Sequence, residues 1–220
     1  MLSDDLRDEL ATIAPTRRCC RLAELSALMH VSGAWHLSER RVAVALDLGS
    51  PAAARRAFRL LRELGVSSEL RTYRRHAFER ATRYQLHVPV ASGPLAVLRE
   101  AGVLSRSGAP LDRPPKRVLG RSCCRAAYLR GALLGAGSLS GPRDLHLELR
   151  VGTPEAAALL AEAAAREDVH LHVGMRRDRA VAYAKGHEAV AGLVALAGAS
   201  EVALRLEEIV RRAEDTAPPR

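Results

Sequence analysis

The sequence predicts an α+β fold of two similar halves, with antiparallel sheets around a central helix pair on a pseudo-two-fold axis. One reason is a repeated motif, since residues 19–33 read CCRLAELSALMHVSG and residues 123–137 read CCRAAYLRGALLGAG. A second match follows at nearly the same offset, GSP at 49–51 and GTP at 152–154. A repeat of almost half the chain indicates two structural units of one kind.

The residues around the second match predict a strand followed by a helix in each half. Ser50 and Thr153 suit helix N-caps, and the proline behind each suits the first helical position. The segments before them alternate between apolar and polar residues, which is typical of half-buried strands. The apolar sets are Val42, Val44, Leu46 and Leu48, and Leu145, Leu147, Leu149 and Val151.

Each half is predicted to run helix, strand, helix, strand, strand, helix. An opening helix over 3–13, with Ser3 as its cap, precedes the first motif. Segments after Gly33 and Gly137 can add a short strand, which gives four strands per half. The remaining elements are strands at 67–74, 82–88, 169–175 and 180–184, and helices at 95–102, 187–198 and 200–213.

The chain is predicted to divide into a first half over 1–104, a linker over 105–122, a second half over 123–213 and a disordered tail over 214–220. The glycine, proline and charged residues of the linker indicate a connection rather than a core element.

Composition limits the function classes. The chain is 48% apolar but only 3% aromatic, so its core must be built from Leu, Val and Ala. Neither an 18-residue apolar run nor a basic-then-apolar leader pattern occurs in the sequence. With four cysteines and no such leader pattern, the expected location is the cytoplasm, where thiols stay reduced. Association with the nucleoid is compatible with this location.

The net charge of +9 favours an anionic partner such as nucleic acid. A genomic base-composition bias is the alternative, because nearly all the basic residues are arginine. Two clusters at matching hairpin tips are more specific, and they suit phosphates on either side of a duplex. Ordinary solvation of the tips is the other interpretation. The clusters are Arg71, Arg74, Arg75, Arg80 and Arg83 in the first half, and Arg176, Arg177 and Arg179 in the second.

Metal and cofactor sites are not expected. Four thiolates, two from each half, make a Cys₄ zinc site conceivable. However, adjacent side chains on a helix point about 100° apart, and no CxxC spacing occurs, so small half-buried thiols are favoured. His146, His170 and His172 are interpreted as lining a polar sheet face. No nucleophile–base pair is found, and no cofactor is expected.

Residues 129–139, LRGALLGAGSL, resemble the LAGLIDADG helix of homing endonucleases, and residues 25–33 are a weaker copy. The resemblance implies two such helices packed side by side over a DNA-holding sheet. The central packing residues would then be Ala27, Gly33, Gly131, Gly135 and Gly137.

Catalysis in that family depends on an acidic residue just before the closing glycine of each helix, because paired carboxylates hold divalent metal at the phosphates. The matching positions here are Ser32 and Ala136, and neither His30 nor Leu134 replaces a carboxylate. The sequence therefore predicts a degenerate endonuclease fold that is not an enzyme.

A closer resemblance is to the WhiA family, carried by residues 16–37, 67–71, 124–142 and 206–212. It implies a non-catalytic, DNA-associated transcription regulator domain in sporulation and cell-division control. The partners implied are double-stranded DNA and a sporulation sigma factor or RNA polymerase. No membrane partner is expected from the sequence, and a monomer is expected because the two halves already supply the pseudo-symmetry. Since residues 1–220 contain no helix-turn-helix pattern, DNA binding is expected to be weak or non-specific. The alternatives are a protein-interaction module without direct DNA binding and, third, a metal-dependent nuclease.

Overall fold

The computed structural model describes residues 2–38, 41–74, 82–89, 92–141 and 144–215, without the side chains of 36–38, 41–42, 92 and 213–215. Within these ranges the chain forms eight α-helices and eight β-strands. The first half contains α1 Leu2–Thr12, α2 Arg18–Ser32, β1 Gly33–Ser38, β2 Arg41–Leu48, α3 Pro51–Glu63, β3 Glu69–Arg74, β4 Thr82–Pro89 and α4 Ser92–Glu100. A 3₁₀ turn, Lys116–Leu119, leads to the second half. That half contains α5 Ser122–Ala136, β5 Gly137–Ser140, β6 His146–Val151, α6 Pro154–Ala165, β7 His172–Arg176, β8 Arg179–Lys185, α7 His187–Ala197 and α8 Ser200–Asp215.

Both halves contain a four-stranded antiparallel sheet with the same topology. The strand orders are β1-β2-β4-β3 and β5-β6-β8-β7, so each half has a short strand directly after its motif helix. The predicted duplicated α+β fold is confirmed.

The helix that follows the second strand of each half is capped as the sequence predicts. Ser50 Oγ accepts a hydrogen bond from the Ala53 N–H at 3.4 Å, and Thr153 Oγ1 accepts one from the Ala156 N–H at 3.2 Å. Each cap is followed by a proline in the first turn. The shared Ser/Thr-Pro pattern therefore starts equivalent helices in the two halves.

The helices cover one face of each sheet, and the alternating apolar residues of the strands point into this layer. Leu46 and Leu48 of β2, like Leu147 and Leu149 of β6, are fully buried. The buried residues of both halves form one continuous hydrophobic cluster. No helix in the described ranges has the length and apolarity needed to cross a membrane.

A buried ion network crosses the interface between the halves. The Glu24 carboxylate on α2 accepts hydrogen bonds from Arg56 Nε at 2.7 Å and from Arg130 Nη2 at 3.0 Å. Arg56 lies on α3 and Arg130 on α5, and all three side chains are almost completely buried. Arg130 also donates to the Ala197 carbonyl oxygen on α7. A buried carboxylate shared by two guanidinium groups thus joins α2 and α3 to the second half.

Two local predictions are wrong. Ser3 lies inside α1 and does not cap it; its hydroxyl donates to the Leu139 carbonyl oxygen at 2.8 Å and accepts the Leu139 N–H. This side chain therefore ties α1 to β5 of the other half. The 105–122 segment is also more than a connection, since Val118 and Leu119 are buried in the core.

Candidate functional site

The two motif helices, α2 and α5, make the largest contact between any two described elements. A Cβ at Gly131 would collide with the Glu24 carbonyl oxygen and lie 3.0 Å from the Ala27 Cβ. A Cβ at Gly135 would lie 2.6 Å from Ser32 Oγ. These small residues therefore allow the two helix backbones to approach closely along their whole length.

Gly33 and Gly137 have a different role, because they lie where the motif helices end. Their N–H groups bond to the carbonyl oxygens of Met29 and Leu133. A Cβ added at Gly33 would collide with the Met29 carbonyl oxygen, and one added at Gly137 would lie 2.5 Å from the Leu133 carbonyl oxygen. Both glycines allow the chain to pass directly from helix into strand, and they do not fill the contact between helices.

Ser32 and Ala136, the predicted counterparts of the metal-binding carboxylates of homing endonucleases, occupy the last turns of α2 and α5. A cavity of about 220 Å³ lies at this end of the pair and is lined by Ala136 and by three arginines, Arg7, Arg83 and Arg150. The lining contains no carboxylate among the described residues. Three guanidinium groups disfavour a divalent cation here and favour an anionic oxygen.

The arginines of this cavity come from three elements. Arg7 of α1 donates to the Gly137 carbonyl oxygen at 2.5 Å. Arg83 of β4 lies against Gly49, because a Cβ added at Gly49 would be 2.8 Å from Arg83 Nη1. Arg150 of β6 is mostly exposed. Because Arg83 and Arg150 belong to different sheets, the cavity joins the two sheet faces that point away from the helices.

The outer face of the first sheet carries both charges. Arg83 Nε is 2.9 Å from Asp47 Oδ1, and Arg71 is 2.8 Å from Glu69 Oε2. The Tyr73 hydroxyl also donates to Asp47 at 2.7 Å, and this hydrogen bond raises the pKa of Tyr73. Arg71 and Arg83 are therefore partly neutralised, which the sequence clusters alone did not predict.

The outer face of the second sheet is organised around one buried carboxylate. Glu148 is in ion pairs with Arg150 at 2.5 Å and Arg176 at 3.0 Å, and His146 Nε2 lies 3.3 Å away. Burial opposes ionisation of Glu148, but the bonds from Arg150 and His146 and the charge of Arg176 together lower its pKa. The carboxylate thus fixes two guanidinium groups, and the cluster keeps a net positive charge.

The three predicted sheet histidines lie around Tyr183. The His172 ring stacks on the Tyr183 ring with centroids 5.2 Å apart, His146 lies 5.5 Å from the same ring, and His170 is in edge contact with His172. His146 and His172 therefore lie on strands as expected for a polar sheet face, whereas His170 precedes β7 and is not part of a strand.

At the hairpin tips the arginines are less paired. Within the described ranges, no acidic partner lies at salt-bridge distance from Arg74, Arg177 or Arg179, and all three are exposed. Arg177 adopts a left-handed conformation with φ of 53°, at the first loop position between β7 and β8. Arg75 and Arg80 lie outside the described residues.

Two residues of this surface, Arg7 and Arg150, were not among the sequence candidates. Arg150 was detectable, because it alternates with the apolar residues Leu149 and Val151 and so must face away from the core. Arg7 was not, since its position depends on the packing of α1 against β5.

The four cysteines lie together at the opposite end of the helix pair. All four Sγ atoms are within 4.8 Å of one another, and all four thiols are free. Cys20 and Cys124 are buried and Cys19 and Cys123 are half-buried. The burial agrees with the small half-buried thiols expected from the sequence, and the clustering of all four follows from the two helix starts facing each other.

Comparison with known proteins agrees with this architecture. Residues 18–104 match the family model described as the WhiA N-terminal LAGLIDADG-like domain, and residues 125–215 match that of the WhiA LAGLIDADG-like domain. Among solved structures, full-length DUF199/WhiA from Thermatoga maritima superposes with a TM-score of 0.75 at 17% identity, covering 99% of this chain and 68% of that one. The homing endonuclease I-DmoI, in complex with DNA and Mn, superposes with a TM-score of 0.52 at 12% identity, covering 76% and 90%.

Curated relatives show the family directly. The chain is 33% identical over 210 residues to a probable cell division protein WhiA of Heliobacterium modesticaldum, covering 94% of this chain and 66% of the relative. For the protein of the same name from Alkaliphilus metalliredigens, the identity is 30% over 213 residues, covering 94% and 67%. The chain thus spans about two thirds of the length of these relatives. Its sequence and its fold place the chain in the WhiA family of cell division proteins.

Proposed function

We propose that this chain is the non-catalytic, DNA-associated domain of a WhiA-type transcription regulator, which acts in cell-division and sporulation control. One observation carries the proposal. Ala136, the predicted counterpart of a metal-binding carboxylate in a LAGLIDADG nuclease, lines a cavity together with Arg7, Arg83 and Arg150. A site that places guanidinium groups where carboxylates are needed suits binding of a phosphate backbone without cutting it.

The surrounding surface supports duplex binding with little sequence preference. The exposed arginines of the second hairpin tip extend the cationic cavity along one sheet. Contacts of this kind go to phosphates and position a duplex, but they do not read its sequence. Affinity should therefore fall steeply with salt, in proportion to the number of phosphates neutralised.

The test is fluorescence anisotropy with two labelled duplexes of unrelated sequence, titrated at several salt concentrations. The variant Arg177→Glu/Arg179→Glu should weaken binding to both duplexes and reduce the slope of log K against log[salt] by about 2. The matched control is Arg55→Glu/Arg62→Glu, which makes the same charge change at exposed positions of α3, on the helix layer.

The outcomes separate a local contact from a general charge effect. Binding that both double variants weaken equally would mean that net charge alone attracts DNA. Absence of binding at low salt would overturn the proposal. Plasmid DNA incubated with Mg²⁺ or Mn²⁺ should stay supercoiled, and cutting by the purified chain would contradict the assignment of a non-catalytic fold.

A second candidate, a docking module for a sigma factor or RNA polymerase, is favoured by exposed apolar residues on one edge strand. Val173 and Met175 of β7 are 46% and 59% exposed, and β7 is an outer strand of its sheet. An open strand edge with apolar side chains suits an added peptide strand. The test is a binding assay with purified RNA polymerase holoenzyme. Binding to the native chain but not to Met175→Glu, when neither protein binds DNA, would favour this candidate.

A further inference from the structure

We propose that Cys19, Cys20, Cys123 and Cys124 form a structural zinc site that fastens the two halves together at the first turns of the central helices. The proposal concerns a part of the molecule remote from the arginine-lined cavity, and it is independent of DNA binding.

The position of the four thiols follows from the pairing of the motif helices. Contacts join both ends of α2 and α5, since the cysteines meet at the first turns and Gly135 faces Ser32 at the last turns. The helices therefore run in the same direction. In each helix the two cysteines are the second and third residues, so all four side chains surround the space between the two helix starts.

The distances suit a tetrahedral tetrathiolate. Zinc–sulfur bonds of about 2.3 Å in a tetrahedron place the sulfurs about 3.8 Å apart. The Cys19 and Cys20 Sγ atoms are 4.0 Å apart, and no two of the four are further apart than 4.8 Å. Movements of about 1 Å or less, which small rotations about the Cα–Cβ bonds supply, would bring all four sulfurs to bonding distance of one ion.

The charges that face the site favour an anionic group of ligands. Zn²⁺ with four thiolates carries a net negative charge, and a helix start carries a partial positive one. Neither first turn contains an acidic residue, and neither Arg17 nor Arg121, the N-cap residues, makes a side-chain cap. The Arg17 guanidinium also donates to Cys123 Sγ at 3.8 Å. Two helix starts and one arginine thus face a group of ligands that becomes anionic when it binds metal.

The burial of the four cysteines is typical of a structural metal site that keeps an opening for the ion. Cys20 is 6% exposed and Cys124 is 2% exposed, so one ligand from each half is shielded from water. Cys19 and Cys123 are half-buried and line the opening. Because each half supplies two ligands, the complete site exists only when the halves are docked. The free energy of zinc binding therefore also stabilises the contact between the halves.

The full chain is purified under reducing conditions without chelator, and its metal content is measured by inductively coupled plasma mass spectrometry. The expected result is one zinc per chain. Replacement by Co²⁺ should give the absorption bands of a tetrahedral cobalt tetrathiolate. The variants Cys20→Ser and Cys124→Ser should each lose stoichiometric zinc, whereas Ser122→Ala, a change in the same first turn, should keep it.

Folding of the cysteine variants is checked by circular dichroism, and removal of zinc from the native chain by a chelator should lower its melting temperature. The proposal is overturned if the folded, fully reduced chain does not bind added Zn²⁺ or Co²⁺. It is equally overturned if zinc content is the same in the cysteine variants, or if thiol titration of the native chain shows that the cysteines are joined in disulfides.

Discussion

Replacing Glu24 by alanine is the sharpest test of how the two halves are held together. The carboxylate accepts hydrogen bonds from Arg56 and Arg130, whose side chains are only 1% and 8% exposed. Its removal leaves two guanidinium groups buried without the carboxylate that they share. Breaking a buried ion network in this way costs about 3–5 kcal/mol, a large share of the roughly 5–15 kcal/mol that stabilises a domain.

The matched control is Glu63→Ala. The Glu63 carboxylate also contacts Arg56, at 3.5 Å, but it is 33% exposed. Partly solvated pairs contribute about 1 kcal/mol or less, so this variant should be close to the native chain. Urea denaturation followed by circular dichroism gives the free energy of unfolding of both variants. If Glu24→Ala lost no more stability than Glu63→Ala, the buried network would not be what joins the halves.

Two further predictions concern packing and pH. Gly131→Ala should lower the free energy of unfolding by about 1–3 kcal/mol, because its Cβ collides with the Glu24 backbone; unchanged urea midpoints would show that the helices can separate at no cost. The folded chain lowers the pKa of Glu148. The ionised carboxylate therefore stabilises the fold above the unfolded-state pKa of about 4.3, and this stabilisation is lost as the pH falls through the folded-state pKa. The stability difference between the native chain and Glu148→Gln should therefore be largest near neutral pH and vanish in acid, and a difference that grows on acidification in urea titrations would contradict this sign.

The duplication could be predicted from sequence because it repeats local signals. The Ser50 and Thr153 caps act within one turn, and the strands before them show their buried face by alternation. The short strands β1 and β5 were predictable only through the symmetry of the halves, since each follows its helix without a turn. Gly33 and Gly137 are what make that direct passage from helix to strand sterically allowed.

Features that depend on contacts between distant residues were not predictable. Ser3 resembles a helix cap, but its hydroxyl bonds to Leu139, far away in the sequence. Likewise the network of Glu24, Arg56 and Arg130 has no local signature. Charge clusters also reveal only the number of arginines at a tip, and not the acids that pair with them across a strand.

The two ends of the central helix pair have opposite electrostatic requirements, and the side chains match both. A helix end carries partial negative charge at its carbonyl groups, and here Arg7 donates to the Gly137 carbonyl in the cavity at that end. A helix start carries partial positive charge, and the four thiols, which become anionic when they bind metal, lie at the first turns of both helices. The ends of a 15-residue helix lie about 22 Å apart, beyond the screening length at physiological salt.

The two proposed sites should therefore act separately. Cys20→Ser should lose zinc yet bind DNA as long as it stays folded, and Arg177→Glu/Arg179→Glu should bind DNA more weakly yet keep its zinc. Loss of both properties in either variant would show that the helix pair couples its two ends.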